Sequence, residues 1–581
     1  MSTPCITQRC GVCCFELCHG EDIVAGECWY SQECWITRLI TVETVGSDGR
    51  LTKPLRNDPA TMDISYTQCV GACLHSEGQA VGCHVECVNQ VPTQQLSAVL
   101  EALTYSYEPA RSETNRRTTW LHQTFSSLLG SHVFSKKPYT LPPELLSQIT
   151  AYCYSSFAIE YAMARLALAS DTKADDARTI FLDTSRQIWA RLSSFEGVDY
   201  IASLSNASDD LHTELIFKPD ALRSPSSIHT AENHLGVRKI IFHYSKTSPE
   251  VEQCDGLWWR NIHLRGPTRL VVQSDGLKVR HVSLAEDKTK PRPTVWAKPL
   301  LGPTRLVRLE EAPLPTRMSS LLLNDPRTIG YAFYWNTRLV SMHAVTSEQD
   351  LSFYDGDHNG IWTYFPLLER ELITEIWIRG QTKWDMALIL KTSRDRIVNV
   401  GPYLNILPGT PIRLLELPSQ ATASWIFFEL YRVGVRHLGF SSTKPEHAPG
   451  HTISLPAPMS SNPGYDCYFY STAVLDKVNE ITPCQRMIHG QTKIIGLLLR
   501  YSDGRRASLG QVRFDCLTSP LKVDGIWSIL LTLAADWRGQ FVSALSLDCV
   551  GETNSSCLRA SNLDTLDWWF SLQASKVYLA H

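Results

Sequence analysis

Two hydrophobic rhythms run along this chain. Leu96, Leu100 and Leu103 stand at helical spacing, and a polar run from Arg111 to Thr118 follows them. Between about residues 141 and 195 the pattern predicts helix: residues 154–169 are rich in good helix formers, and Phe157, Tyr161 and the Ala162/Leu166 pair recur at helical intervals. Asp183 to Leu192 is expected to add another helical turn or two. From Leu235 onward the rhythm changes to short apolar runs bounded by Gly, Pro, Asp and Ser, such as Val237 to Tyr244, Glu375 to Arg379 and Ile494 to Tyr501. That pattern predicts strands and turns. Ser274-Asp275-Gly276 and Ser502-Asp503-Gly504 are expected at hairpin turns, because Asp-Gly tolerates the positive φ that tight hairpins need.

One helix start is well defined. Thr140 can cap, Pro142 and Pro143 suit a first turn, and Glu144 favours the positive end of the helix dipole. Leu141, Leu145, Ile149 and Cys153 then fall on one stripe, with Leu146 beside it. An apolar stripe of that kind must dock on something.

Length turns these segments into a multi-domain chain, since 581 residues exceed one ordinary core and predict three or four domains. The apolar fraction of 43% and charged fraction of 20% are those of a folded chain. A net charge of −4 gives no field that would draw in nucleic acid or an anionic membrane, so neither is expected as a partner. The opening Met1-Ser2-Thr3-Pro4-Cys5 has no basic region and no apolar run behind it, unlike a secretory signal, and no apolar run is long enough to span a membrane. The expected location is the cytoplasm or nucleus, where thiols stay reduced and Asn206 and Asn554 would not be glycosylated.

That compartment decides how the cysteines are read. Eleven of 18 fall before residue 90, which marks a distinct module. Cys10-Gly-Val-Cys13 and His84-Val-Glu-Cys87 are two-residue-gap pairs, and two such knuckles supply the four N/S ligands of a closed structural zinc site. Cys10, Cys13, His84 and Cys87 are therefore the preferred metal ligands. Cys69, Cys73, His75 and Cys83 offer alternative or additional ones, and some thiols can be buried small residues.

In the β region short phrases recur. Asp255-Gly-Leu-Trp258, Asn359-Gly-Ile-Trp362 and Asp524-Gly-Ile-Trp527 share one pattern. Arg379-Gly-Gln-Thr-Lys383 is echoed at His489 to Lys493, Gly236-Val-Arg238 at Gly434 to Arg436, and Gly266 to Val271 at Gly302 to Val307. They read either as diverged copies of a small sheet unit or as chance likeness of turns. Asp355 to Gly360 imitates the start of a calcium loop, but Pro366 stands where the bidentate Glu belongs, so a polar turn is expected. No phosphate-binding glycine loop, zinc-protease helix or serine elbow occurs, and His437 and His489 lack assignable partners, so no enzyme is expected.

The segment Leu141-Pro-Pro-Glu-Leu-Leu-Ser-Gln-Ile149 resembles the first helix of the F-box, which binds the adaptor subunit of SCF-type ubiquitin ligases while the rest of the chain captures a substrate. The resemblance implies that Leu141, Pro142, Glu144, Leu145 and Ile149 lie at or near an adaptor interface. The Val-Cys-x-x-Trp-like stretch that usually follows is absent at the expected distance; Ile188-Trp189 lies farther on. The overall order also resembles large families of filamentous fungi that begin with Cys-x2-Cys…His-x2-Cys, continue with a Leu-Pro-x-Glu-Leu helix and end in a long β-rich region. Ile188-Trp-Ala-Arg191, Phe195-Glu-Gly-Val198, Trp258-Trp259 and Leu509-Gly-Gln-Val512 share in that likeness. Ile494 to Tyr501 with its following turn is faintly similar to jacalin-like lectins, which would imply a carbohydrate-binding or purely structural β region, and most of the 16 tryptophans are expected in the core.

The expected architecture is a multi-domain α+β fold. It comprises a small Cys-rich, zinc-binding module (1–95), a short helical F-box-like segment (96–200) and a large antiparallel β-rich C-terminal region, with domains at 235–415 and 416–581. The expected function is an F-box-like interaction protein whose β region presents a surface to an unknown protein or glycan.

Overall fold

A computed structural model of the chain describes residues 5–18, 23–31, 34–42, 79–130, 142–171, 178–208, 213–220, 223–245, 249, 251, 256–286, 294–300, 304–312, 314–347, 351–355, 360–380, 386–403, 411–419, 424–431, 434–441, 453–455, 458, 460, 467–525, 527–547 and 557–580. The fold is α+β, rich in antiparallel strands, with a cysteine-rich N-terminal region. It divides into two compact units, Met1–Leu301 and Gly302–His581.

In the first unit, Gln79–His84 lies between Cys5–Ile6, which runs parallel to it, and Ile23–Ser31, which runs antiparallel and pairs onward with Cys34–Val42. Four helices follow among the described residues: α1 (Val85–Asn89), α2 (Thr93–Leu103), α3 (Arg111–Leu128) and α4 (Pro143–Asp171). The cysteine-rich segment and the helices, which sequence sets apart at residue 95, share one buried cluster. It joins Cys10, Cys13 and Cys87 to Val99 and Leu100 of α2, to Ile159 and Ala162 of α4, and to Phe195 and Tyr200 beyond.

The strand region begins earlier than Leu235. Asp183 to Leu192, expected to be helical, instead ends the strand Thr179–Asp183 and opens the strand Ile188–Phe195. The cause is a period of two: Ile188 and Ala190 are buried while Trp189 and Arg191 are less so, an alternation that only a strand can face onto a core. Ile188–Phe195 pairs with Val198–Ser205 and Thr213–Phe217. Ser227–Glu232 pairs with Val237–His243 on one side and Trp258–His263 on the other.

The second unit has its own large buried cluster, including Tyr331, Phe333, Ile376, Leu497, Leu531 and Trp568. Thr328–Asn336 lies between Arg338–Thr346 and Ile361–Pro366. Val478–Ile488 and Gln491–Tyr501 make a long hairpin, and Thr565–Phe570 lies between Phe469–Val474 and Ser575–Ala580.

Both Asp-Gly turns close hairpins. Gly276 (φ +92°) and Gly504 (φ +85°) take the left-handed conformation, and Asp275 Oδ1 accepts the backbone N–H groups of Leu277 and Lys278. Two of the echoes occupy comparable places among the described residues. Gly236-Val-Arg238 and Gly434-Val-Arg436 each lead into the second strand of an antiparallel pair, and Arg269 and Arg305 each begin a strand.

Candidate functional site

The first knuckle is a tight turn pressed onto a strand. Cys14 N–H donates to Cys10 O at 2.8 Å, and Gly11 N–H to Gly82 O at 2.9 Å. A Cβ at Gly11 would lie 2.2 Å from Val81 Cγ1 and 2.9 Å from Leu100 Cδ2, so the turn can sit this close only with glycine there. The second knuckle is a strand-to-helix corner. His84 ends its strand in an extended conformation (φ −62°, ψ 137°), and Cys87 returns toward it from within α1.

The ligand atoms of Cys10, Cys13, His84 and Cys87 all lie within 4.8 Å of one another, and this Cys/His cluster could hold a metal ion. His84 Nδ1 is 3.4 Å from Cys13 Sγ and 3.6 Å from Cys87 Sγ, and His84 N–H donates to Cys10 Sγ at 3.4 Å. A tetrahedral ion with S and N ligands at about 2.3 and 2.0 Å spaces an S–N pair by about 3.5 Å, which the two Nδ1–Sγ distances match.

Without an ion the protons are distributed unevenly. Burial pushes the Cys10 thiol up, but hydrogen bonds with Cys13, Cys83, Cys87 and His84 outweigh it and hold the group well below the usual thiol range. Hydrogen bonds with Cys10 push Cys13 and Cys87 the other way, and hydrogen bonds with Cys10 and Cys87 raise His84 to about 11. A dication would take the place of the protons, and three sulfurs with one imidazole form a soft set that suits it.

Cys83 is buried next to Cys10, yet it is not one of the four converging donors. Cys69, Cys73 and His75 lie outside the described residues. Cys14, at φ +62°, ends the turn, and its thiol donates to Leu103 O.

A buried ion pair locks the knuckle to the helices. Arg117 of α3 donates from Nε and Nη2 to the Glu196 carboxylate, each at 2.7 Å, and from Nη2 to Cys13 O at 3.0 Å. Glu196 stands in a hairpin turn at φ +48°, followed by Gly197 under the Trp120 ring. Sequence reasoning missed this pair: Arg117 was only part of a polar run, and Phe195-Glu-Gly-Val198 only a shared phrase.

The helix start is brought out differently. Leu141 lies outside the described residues; Pro142, Glu144, Leu145 and Ile149 are exposed. The inner side of α4 rests on α3 through Ser147 and His122, Thr150 and Ser126, and the stacked rings of Phe157 and Phe125. Leu145 (46% exposed), Ile149 (39%) and Tyr152 (90%) form an outward stripe, whereas Cys153 is half-buried. Farther along, Ala158, Ile159 and Ala162 are buried. Of the expected stripe, Leu145 and Ile149 therefore share one exposed face, joined there by Tyr152 and not by Cys153.

His437 Nδ1–H donates to Glu429 Oε2 at 2.9 Å, within a buried network that includes Arg436. His489 occupies an exposed hairpin turn at φ +51°. Residues 356–359 of the calcium-like loop lie outside the described residues. Among the described residues no helix is long and apolar enough to cross a membrane. No protein-family model matches the chain, and neither does any curated protein.

Proposed function

We propose that this chain is a non-catalytic interaction protein in which a structural zinc ion, held by Cys10, Cys13, His84 and Cys87, braces a unit whose helix α4 engages the adaptor subunit of an SCF-type ubiquitin ligase. The observation that carries the reading is the exposed stripe Leu145, Ile149 and Tyr152 on a helix whose opposite side is buried. Zinc is favoured for the cluster because four protein ligands fill a tetrahedral shell and leave no place for a reacting water, which is the pattern of a scaffold.

The resemblance to the F-box stops at its first helix, since α4 continues unbroken to Asp171. These three side chains, two of them already more than half buried, can bury roughly 300–400 Å² more, below the ~800 Å² that a stable partner usually contributes. The adaptor must therefore engage neighbouring residues as well, and its affinity is expected in the micromolar range.

Binding of purified adaptor to the full chain, followed by calorimetry, tests this. Leu145→Asp and Ile149→Asp each remove an apolar contact worth about 1 kcal/mol, since less than half of each side chain is still exposed, and place a charge in the interface; each should weaken binding at least tenfold while leaving the circular dichroism unchanged. Absence of adaptor binding, or equal binding by both variants, would overturn the assignment.

A further inference from the structure

Two cysteines of the second unit stand together, apart from the metal cluster. Cys484 lies within the strand Val478–Ile488 and is buried, whereas Cys516 ends a short 3-10 turn, Phe514–Cys516, and is half-buried. Backbone bonds hold that turn against the strand. Cys484 makes an antiparallel bridge with Leu517, and Thr518 donates to Pro483 O from its N–H at 2.9 Å and from Oγ1 at 3.1 Å. Opposite Cα atoms in such a bridge stand about 4.5–5.5 Å apart and residues step by about 3.4 Å. The Cα atoms of Cys484 and Cys516 are thereby about 6 Å apart, within the ~4.4–6.8 Å that a disulfide spans.

Arg513 gathers the two side chains. The Cys484 thiol donates to Arg513 O at 3.5 Å and accepts the Arg513 N–H at 3.4 Å, while Cys516 N–H donates to the same Arg513 O at 3.1 Å. Because Cys516 closes a turn, its side chain does not follow the alternation of a strand. It comes to the Cys484 side, where the two thiols hydrogen-bond to each other.

The pair is unequal in the way that an attacking thiol and its resolving partner must be. The hydrogen bond from Cys484, aided by the Arg513 guanidinium, holds the Cys516 thiol below the usual range. Burial pushes the Cys484 thiol well above it. The thiolate is the reactive form, so it is favoured at the sulfur that a small reagent can reach and disfavoured at the one enclosed by the core.

We propose that Cys516 and Cys484 form an oxidation site for small hydroperoxides, in which Cys516 reacts first and Cys484 closes a disulfide. The Cys516 thiolate attacks one peroxide oxygen and the O–O bond breaks. Cys516 becomes a sulfenic acid, and the other oxygen leaves as hydroxide, or as alkoxide from an alkyl hydroperoxide, and takes up a proton. The Cys484 sulfur then attacks the Cys516 sulfur, the S–O bond breaks, and water carries away that oxygen with the Cys484 proton. Two thiols are oxidised and one hydroperoxide is reduced. The new bond ties the turn Phe514–Cys516 to Val478–Ile488, and with the turn Arg513, which donates to Tyr354 O at 3.0 Å. The site is independent of zinc and of adaptor binding.

The test treats the full chain with an equimolar amount of hydrogen peroxide, caps the remaining thiols with iodoacetamide and maps the peptides by mass spectrometry. A Cys484–Cys516 disulfide that dithiothreitol removes is expected as the main cross-link. Cys516 should be oxidised about tenfold faster than Cys153 and Cys557, which are also half-buried. In Cys484→Ala, Cys516 should stop at the sulfenic acid and be captured by dimedone several-fold more than in the parent. In Cys516→Ser, oxidation of Cys484 should fall about tenfold. If Cys484→Ala does not fold, the parent map and Cys516→Ser, at the half-buried turn, decide the matter. The proposal is overturned if the two cysteines do not cross-link, if Cys516 is oxidised no faster than Cys153 and Cys557, or if Cys484 is oxidised equally well in Cys516→Ser.

Discussion

Gly11 sets how much freedom the ligand-bearing turn has. A side chain there would collide with both Val81 and Leu100, so the backbone between Cys10 and Cys13 lies flush on the strand that ends in His84. Cys87→Ser leaves that turn intact but replaces a soft ligand with a hydroxyl that does not ionise in the working pH range. Metal analysis of protein purified under reducing conditions should find one zinc per chain in the parent and almost none in Cys87→Ser. A similar metal content in both would remove Cys87 from the ligand set. Much of this site was legible in the sequence, because each knuckle keeps its two donors within three residues and donor chemistry is visible without a fold. The positions that hold the knuckle were not. Arg117 and Glu196 meet across 79 residues, and neither an Arg in a polar run nor a Glu before a Gly says what it will face.

Among the elements, α3 and α4 with the hairpin of Ile188–Phe195 and Val198–Ser205 are joined by polar contacts as well as apolar ones. Arg117 reaches Glu196 and Cys13 O, and Trp120 meets Tyr161 edge to face at 5.0 Å. Removing one member of a fully buried pair leaves the other charge uncompensated. Glu196→Gln is therefore expected to cost about 3–5 kcal/mol in urea unfolding, and Arg117→Met combined with Glu196→Gln to cost clearly less than the sum of the two single changes. Additive losses would show that the pair is not coupled. Of the helices, α2 and α4 were readable from spacing, down to Pro143 at the start of α4, whereas α3 stood in the sequence only as a polar run. The strands at residues 179–195 were misread as helix because a window containing Phe181, Leu182, Ile188 and Leu192 satisfies a helical spacing about as well as an alternating one. Only the inward placement of Leu182, Ile188 and Ala190, a property of the assembled core, decides between them.

For the whole molecule, the position of the ligands relative to the two cores is what matters. Cys10, Cys13 and Cys87 belong to the same buried cluster as Leu96, Val99 and Leu100 of α2 and Ile159 and Ala162 of α4. The large cluster of the second unit shares no residue with it. Binding of zinc to a small module can supply about 10–16 kcal/mol of folding free energy. Here the cysteines sit inside a larger apolar core, so loss of the ion should loosen the first unit without unfolding it. Hydrogen exchange of the full chain before and after treatment with a strong zinc chelator measures this directly. Backbone amides of α2 and of the Ala158–Ala162 stretch of α4 should exchange at least tenfold faster, while those of Gln491–Tyr501 keep their protection. Unchanged exchange in α2 and α4 would mean that the cluster bears no structural load. Equal acceleration in Gln491–Tyr501 would mean that the second core depends on the ion, contrary to the separation of the two clusters.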